Sequence, residues 1–326
     1  MTLAPLTHPD PVQVDACTAS ALKQLAEDLR SVAGGRIDSR EWIRAARQAW
    51  AGAPEQLRST LAEFRRDSGP SGTLLIRGLP VADEHGIPDT PVVGGSVQRT
   101  ASVPAAVLML AAHGLGDPIA FQQEKSGALV QDVVPVPGQE EFQGNAGSTR
   151  LTFHVENAFH DHRPDYVMLL CLRADHDGSA ELRTCSARQV LPDLSEATLR
   201  TLRGPHFVTA PPPSFGSGRE GRPHAVLIGS PEDPVLRVDE AATKPLTRQA
   251  AAAMAELGDL FQNSYNAVRL LPGDLAVVDN RVTVHGRSAF RPRYDGRDRW
   301  LQRTFVAADL HRSRALRPGD GHVLAS

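Results

Sequence analysis

Short apolar runs, rich in β-branched residues and bounded by glycine, proline or polar turns, recur through the middle and the C-terminal part of this 326-residue chain. Such runs are typical of β-strands. They cover residues 73–81, 128–134, 166–173, 274–279 and 300–306. Because they do not alternate with helices in the rhythm of a doubly wound sheet, a mostly antiparallel barrel or jelly roll is favoured.

Helical periodicity occupies fewer segments. Apolar residues recur at helical spacing over residues 16–64, and two later segments, 104–112 and 247–263, show the same pattern. The sequence therefore predicts a mostly β fold with flanking helices.

The length of the chain bounds its domain organisation. At 326 residues, one domain of barrel type and two ordinary domains are equally compatible with the length, and we favour one elaborated domain. The stretch 211–224 begins with three prolines, and its Gly-x-Gly-x-x-Gly pattern has no following helix, so it favours a surface loop or an active-site lid over a dinucleotide site. The predicted parts are a flexible N-terminus (1–15), the domain itself (16–326), a helical lead-in (16–68), a jelly-roll core (73–310) and a possible lid (211–224).

Charge and composition exclude several function classes. The formal net charge is -3, and the sequence contains no block of basic residues, which argues against a nucleic-acid partner. No stretch approaches the ~20 apolar residues that span a bilayer, and no signal peptide is recognisable. Cys17, Cys171 and Cys185 form no CxxC pair, as a reducing compartment permits. We expect a cytoplasmic protein that binds a small molecule and no membrane.

A possible metal site begins at His154-x-Glu156, which follows an extended run. Residues two apart on a strand share a face. A second histidine, His285, follows the predicted strand 274–279, and an antiparallel fold can return it beside the first pair. Two imidazoles and one carboxylate leave three positions of an octahedral ion open, as in non-haem Fe(II) oxygenases. By itself His-x-Glu could also be two polar surface residues beside a turn.

His160 and His162 are the other histidines of this region. Their spacing from Glu156 does not fit the HExxH motif of zinc hydrolases. We interpret them as lying at the surface or around the metal ligands.

Two arginines follow the distal histidine. Arg299 and Arg303 lie on a run with strand character, and residues 299, 301 and 303 share one face. A planar guanidinium can grip a carboxylate through two parallel hydrogen bonds, as a keto-acid co-substrate and an amino acid would each require. The alternative is that both arginines form structural ion pairs, for example with Asp295 or Asp298.

Together, His154-x-Glu156, the distal His285 and the following arginines resemble the clavaminate synthase-like branch of the Fe(II)/2-oxoglutarate oxygenases. Within it, three stretches are similar to the members that hydroxylate L-asparagine for lipopeptide antibiotics: EKSGALVQDVVPVPGQEEFQGNAGST, HVENAFHDHRPDYVMLLCLRAD and VVDNRVTVHGRSAFRPRYDGRDRWLQRTF. The resemblance runs from roughly residue 16 to 321. It implies a double-stranded β-helix (jelly-roll) core.

The resemblance also implies a role for each matching residue. The implied iron ligands are His154, Glu156 and His285. The implied site for the distal carboxylate of 2-oxoglutarate is Arg299 with Thr184. The implied contacts of the substrate are Arg303 for the α-carboxylate, Glu124 and Gln131 for the α-ammonium, and Asn145 and Asp239 for the side-chain amide. The chain departs from the pattern at Val155, where an asparagine is expected.

The implied reaction is Fe(II)-, 2-oxoglutarate- and O₂-dependent hydroxylation of free L-asparagine at C3, for peptide antibiotic biosynthesis. An ionised Asp239 can only accept hydrogen bonds, which favours an amide over a carboxylate in the substrate. Pairing of Asp239 with Arg237 or Lys244 is the structural alternative. Three other functions stay open: 3-hydroxylation of arginine or lysine, a non-catalytic metal-binding sensor, and a zinc hydrolase.

Overall fold

The computed structural model describes residues 10–81, 86–216 and 221–325. Its helices are α1 (Ala16–Arg30), α2 (Arg40–Trp50), α3 (Glu55–Arg66), α4 (Val103–Leu115), α5 (Ala187–Val190), α6 (Glu196–Leu202) and α7 (Arg248–Ser264). Its strands are β1 (Val12–Gln13), β2 (Thr73–Arg77), β3 (Val97–Gln98), β4 (Asp117–Phe121), β5 (Val130–Val133), β6 (Leu151–His154), β7 (Tyr166–Arg173), β8 (Glu181–Ser186), β9 (Phe207–Thr209), β10 (Leu227–Gly229), β11 (Pro234–Leu236), β12 (Thr243–Pro245), β13 (Asn266–Arg269), β14 (Leu275–Asp279), β15 (Thr283–Arg287), β16 (Trp300–Ala307) and β17 (Val323–Leu324).

Two sheets form the core. The larger has the order β1-β2-β14-β7-β16-β4-β17, with β5 also paired to β16 and β3 to β5, and the smaller has the order β13-β8-β15-β6. Leu169 of β7 and Leu301 and Phe305 of β16 share one apolar cluster with Leu182 of β8. The two sheets therefore face each other, and the inner faces of β15 and β16 meet in the interior.

A helical layer covers the outside of the larger sheet. Asp15 is the N-cap of α1, and its side chain accepts the N–H of Thr18 at 2.7 Å. Trp42 of α2 is fully buried and its indole N–H donates to the Leu29 carbonyl at 2.9 Å. α4 contacts α1, α2, α3 and β16, and nearly all its side chains are buried. Within the described ranges, no helix is both long and apolar enough to cross a membrane.

The observed elements can be set beside the predicted ones. β7 has the predicted bounds, whereas the strand predicted at 73–81 ends at Arg77. Val12 and Gln13, expected in a flexible N-terminus, pair in parallel with Ile76 and Arg77 because the chain enters at the edge of the larger sheet. Part of the possible lid, 217–220, lies outside the described residues. Phe215, just before it, packs edge-on against the rings of Phe121 and Phe159.

A buried histidine on α4 predicts an acid-sensitive fold. His113 is 9% exposed, and burial, with a smaller effect of Arg47, lowers its pKa to about 3. The unfolded chain takes up this proton below about pH 6.5, so the stabilising contribution of neutral His113 is lost as the pH falls from about 6.5 towards about 3.

His113→Leu should therefore weaken the pH dependence of stability. We expect the free energy of unfolding of the variant to fall less steeply between about pH 6.5 and about pH 4.5, by up to about 1.4 kcal/mol per pH unit. Urea unfolding at the two pH values measures the difference, with the exposed His311→Leu as control. Equal slopes for wild type and His113→Leu would contradict the prediction.

Candidate metal centre and adjoining pocket

Strand register brings the predicted metal ligands together. His285 of β15 lies opposite His154 of β6 on one side and opposite Thr184 of β8 on the other. Directly opposite residues of adjacent strands share a face. These three side chains therefore form a row on the smaller sheet.

Glu156 reaches the same place by another route. We predicted that His154 and Glu156 project from one strand, which is wrong because β6 ends at His154. Glu156 lies in the following turn, where its N–H donates to the side-chain oxygen of Asn280 at 2.6 Å. The side-chain nitrogen of Asn280 donates to the Glu156 carbonyl at 3.1 Å. No pattern in the sequence pointed to Asn280, which positions the carboxylate through its backbone.

The geometry of the triad suits a divalent metal ion. One ligand atom from each of His154, Glu156 and His285 lies within 4.8 Å of the others. His285 Nε2 is 3.7 Å from Glu156 Oε2. His154 Nδ1 lies 3.0 Å from the Thr152 carbonyl, and donation there leaves Nε2 free to bind a metal. This donor set with open positions is the one that Fe(II) oxygenases use.

The charge states of these groups also fit metal binding. Burial, and then the neighbouring His154, lower the pKa of His285 to about 4, so its imidazole is neutral near pH 7. Although burial opposes ionisation of Glu156, Arg303 and His285 hold its pKa well below the usual range. The site thus presents neutral imidazole at His285 and a carboxylate at Glu156.

Arg303 is the centre of a polar cluster beside the triad. It is 3% exposed, and its Nη1 donates to Glu156 Oε2 at 3.0 Å. Its Nη2 donates to Glu124 and Gln131. The amide oxygen of Asn145, turned towards the guanidinium, accepts from both Nη atoms at 3.2 and 3.0 Å. The structure thereby brings three of the predicted substrate contacts, Glu124, Gln131 and Asn145, around the guanidinium of a fourth, Arg303.

These residues line a cavity of about 810 Å³ that opens to solvent. Its walls include His154, Glu156, Glu124, Asn145, Arg303 and Asp239, while Gln131 lies buried behind Arg303. His160 and His162 instead line a neighbouring cavity. Val155 is buried in an apolar cluster, with its N–H donating to the Val238 carbonyl.

Asp239 is held at the cavity wall by a turn. Its Oδ1 accepts the N–H groups of Ala241 and Ala242 at 2.8 and 3.1 Å. The structural alternative, an ion pair with Arg237 or Lys244, does not form among the described residues. The Arg237 guanidinium instead donates to the carbonyls of Ala158 and Phe159.

Arg299 immediately precedes β16 and is buried. It is 6% exposed, and in the part of the chain that the structure describes its guanidinium forms no hydrogen bond or ion pair. The hydroxyl oxygen of Thr184 is likewise buried without a partner. Buried donors are ordinarily paired. Each is therefore available to a ligand that accepts hydrogen bonds.

The two aspartates that were considered as ion-pair partners of Arg299 interact with other groups. Asp298 accepts the N–H groups of Arg293 and Tyr294 at 2.7 and 2.5 Å, which closes the loop before Arg299. Asp295 and Asp298 also face His176 Nε2, at 3.3 and 3.5 Å. Among the described residues, neither Arg299 nor Arg303 pairs with Asp295 or Asp298, whereas Arg303 forms ion pairs with Glu124 and Glu156.

Comparison with known proteins gives a family and close relatives. The sequence profile of the family "Taurine catabolism dioxygenase TauD, TfdA family" matches residues 51–305. The chain is 62% identical to L-asparagine oxygenase of Streptomyces coelicolor over 97% of this chain and 95% of the relative. It is 35% identical to clavaminate synthase 2 of Streptomyces clavuligerus, over 88% and 89% of the two chains.

A solved asparagine oxygenase in complex with Fe(II), 2S,3S-3-hydroxyasparagine and succinate has a similar fold. It superposes with a TM-score of 0.94 at 61% identity, over 97% of this chain and 99% of that chain. The predicted fold class, a mostly β jelly roll with flanking helices, is confirmed.

Proposed function

The chain belongs to the TauD/TfdA dioxygenase family, and on that premise we propose that it hydroxylates free L-asparagine at C3 in a reaction that needs Fe(II), 2-oxoglutarate and O₂. The observation that carries the proposal is a cavity lined by His154, Glu156 and the buried Arg303, with His285 completing the metal triad beside the first two. The similarity to L-asparagine oxygenase over nearly the whole chain supports the same substrate.

Each part of the site has a task in this reaction. When bound, Fe(II) with 2-oxoglutarate and O₂ supplies the oxidation of the C–H bond, with succinate and CO₂ as by-products. His154, Glu156 and His285 would hold the metal on one face and leave the other face to the reactants. Arg299 and Thr184 would anchor the distal carboxylate of 2-oxoglutarate.

The polar cluster around Arg303 matches the two charges of an amino acid. The guanidinium of Arg303 would bind the α-carboxylate by exchanging for it some of the hydrogen bonds that its Nη atoms donate to neighbouring side chains in this structure. Glu124 would accept the α-ammonium with Gln131 behind it. Burial raises the pKa of Glu124, and the charge of Arg303 opposes the rise. A substrate ammonium beside Glu124 would add a second cation and so would favour the ionised form of the Glu124 carboxyl. With its α-carboxylate and its α-ammonium both bound, the amino acid would have its C3 held in a fixed position relative to the metal.

The side-chain amide would lie towards Asn145 and Asp239. Because Oδ1 of Asp239 is used by the turn, its other oxygen is the acceptor available to the cavity. An amide NH₂ satisfies that oxygen, whereas a second carboxylate would repel it.

Asp239→Asn should relax the rejection of L-aspartate. The amide oxygen of asparagine can keep both turn hydrogen bonds, and its NH₂ group can donate to a carboxylate of the substrate. We expect the preference for asparagine over aspartate, measured as the ratio of the two kcat/KM values, to fall about tenfold or more. Discrimination equal to that of the wild type would remove Asp239 from the substrate pocket.

One experiment tests the proposed reaction. The protein is supplied with Fe(II), 2-oxoglutarate and O₂ and incubated with a panel of amino acids, and products and succinate are measured together. We expect asparagine to gain one oxygen atom first, with an equal amount of succinate. Faster oxidation of arginine or lysine would favour a basic amino acid hydroxylase. If no amino acid of the panel gives iron-dependent succinate, a metal-binding sensor would be favoured. Hydrolysis of a substrate with zinc alone would favour a zinc hydrolase.

We propose two wider features of this function. The product would serve the biosynthesis of a peptide antibiotic, and the enzyme would act in the cytoplasm on a small molecule, without a nucleic-acid partner. Three free cysteines, Cys17, Cys171 and Cys185, are compatible with a reducing compartment, and the formal net charge of -3 is compatible with a small partner.

A further inference from the structure

Two buried arginines flank one phenylalanine on the inner side of the sheets. Arg287, at the end of β15, is 4% exposed, and Arg299, just before β16, is 6% exposed. Their guanidinium carbons lie 5.1 and 5.8 Å from the centroid of the Phe290 ring. Both cations therefore lie beside the same buried ring, and Arg287 is two residues along the chain from the metal ligand His285.

Neither arginine has a counter-ion in the described ranges, where no carboxylate forms an ion pair with either. Arg287 Nη2 donates to the Thr149 carbonyl at 2.9 Å, and its Nε is buried and has no hydrogen-bond partner in the part of the chain that the structure describes. An isolated buried charge is costly unless it is paired. Two unpaired cations and the unpaired hydroxyl of Thr184 thus leave several buried donors for an anion.

The side of the sheet is settled by register. Residues His285 and Arg287 of β15 lie opposite Thr184 and Leu182 of β8. Leu182 belongs to the apolar cluster between the sheets, so Arg287 lies on the inner side together with His285 and Thr184. Arg183 lies opposite Gly286 and hence on the other face.

We propose that Arg287 is a second guanidinium for the distal carboxylate of 2-oxoglutarate, acting together with Arg299 and Thr184. This inference rests on the proposed function. A carboxylate offers about four lone-pair positions, of which a bidentate Arg299 would use two and Thr184 one. Arg287 would use the fourth through its unpaired Nε–H. The consequence is selectivity for a dicarboxylic keto acid over one that ends in a methyl group.

The test is a binding comparison that does not depend on turnover. Anaerobic, Fe(II)-loaded protein is titrated calorimetrically with 2-oxoglutarate and with 2-oxopentanoate, which has the same keto-acid end and a methyl group in place of the distal carboxylate. In Arg287→Met we expect the affinity for 2-oxoglutarate to fall about tenfold or more. The affinity for 2-oxopentanoate should change less than about twofold, because no contact to its methyl end is lost.

Arg183→Met is the matched control. Arg183 is an equally buried arginine of the neighbouring strand, 5% exposed, which stacks on Tyr265 at 3.9 Å and donates to Gln262 at 2.9 Å. Its loss should leave the preference between the two keto acids unchanged. An equal loss of affinity for both acids in Arg287→Met, or unchanged 2-oxoglutarate affinity, would overturn the proposal.

Arg287→Lys covers the case in which the methionine variant does not fold. Lysine keeps the charge without the planar fork, so we expect a smaller loss that is again confined to 2-oxoglutarate. Undiminished preference for 2-oxoglutarate in this variant would count against Arg287. Failure of the proposed function can be distinguished from failure of the Arg287 proposal. If the wild type binds 2-oxoglutarate but does not oxidise asparagine, asparagine is not the substrate, and the Arg287 comparison stays valid.

Discussion

Replacing His285 with alanine is expected to abolish iron binding at the triad and to lower the rate of asparagine hydroxylation by more than about a hundredfold. Loss of a residue that only hydrogen-bonds to a metal ligand lowers metal affinity or activity by about 10- to 100-fold, and loss of the ligand itself should have a larger effect. His285 offers one of three ligand atoms that lie within 4.8 Å of one another. Its strand, β15, pairs with β6 and β8 on its two sides, so the backbone has hydrogen bonds that do not need the imidazole.

The measurement is iron content after anaerobic reconstitution, followed by hydroxylation rate. His162→Ala is the control, because His162 lies near the triad in the sequence but lines the neighbouring cavity. It should keep its iron. A chelator should inactivate the wild type, and Fe(II) should restore it. A His285→Ala protein that holds one iron and turns over at the wild-type rate would refute the ligand set.

Arg303→Lys is expected to lower kcat/KM for asparagine by on the order of a hundredfold or more, while 2-oxoglutarate affinity changes by less than about twofold. Lysine keeps the charge but loses the fork that donates to Glu156, Glu124 and Gln131. Charge-assisted hydrogen bonds contribute about 1.5–3 kcal/mol each, so the loss of two accounts for the magnitude. Arg299 should still hold the co-substrate.

Two readouts separate substrate binding from co-substrate binding in this variant. Succinate formed without hydroxyasparagine should rise relative to product, because the amino acid is no longer held near the metal. Calorimetry measures the 2-oxoglutarate affinity, and Arg183→Lys, a buried arginine on the other face, serves as the control. A variant impaired only in 2-oxoglutarate binding would assign Arg303 to the co-substrate.

Local patterns were sufficient for the strands and for part of the site. The apolar run at 166–173 became β7 with the same bounds, and the run at 300–306 became β16 with one further residue. The helical periods at 104–112 and 247–263 became α4 and α7. The spacing of His154 and Glu156 indicated a metal pair, although Glu156 reaches the triad from a turn rather than from the strand.

The roles of single residues required more than pattern. Those of Glu124, Asn145 and Asp239 came only from the family resemblance, since no spacing connects them. Arg287 and Asn280 were not singled out at all, because an arginine after a histidine and an asparagine after an aspartate have no local signature. Their importance depends on contacts with residues far away in the chain: Arg287 with Thr149, and Asn280 with Glu156.

What the sequence by itself determined is the set of elements and the chemistry they carry: strand periodicity, helical lead-in, two histidines, a carboxylate and two arginines. Only the tertiary structure decided that His285 lies opposite His154, that Arg303 binds Glu156, and that Arg287 and Arg299 lack counter-ions among the described residues. The physical reason is range. Periodicity is set by neighbouring residues, whereas strand register between segments more than a hundred residues apart is set by packing of the whole core.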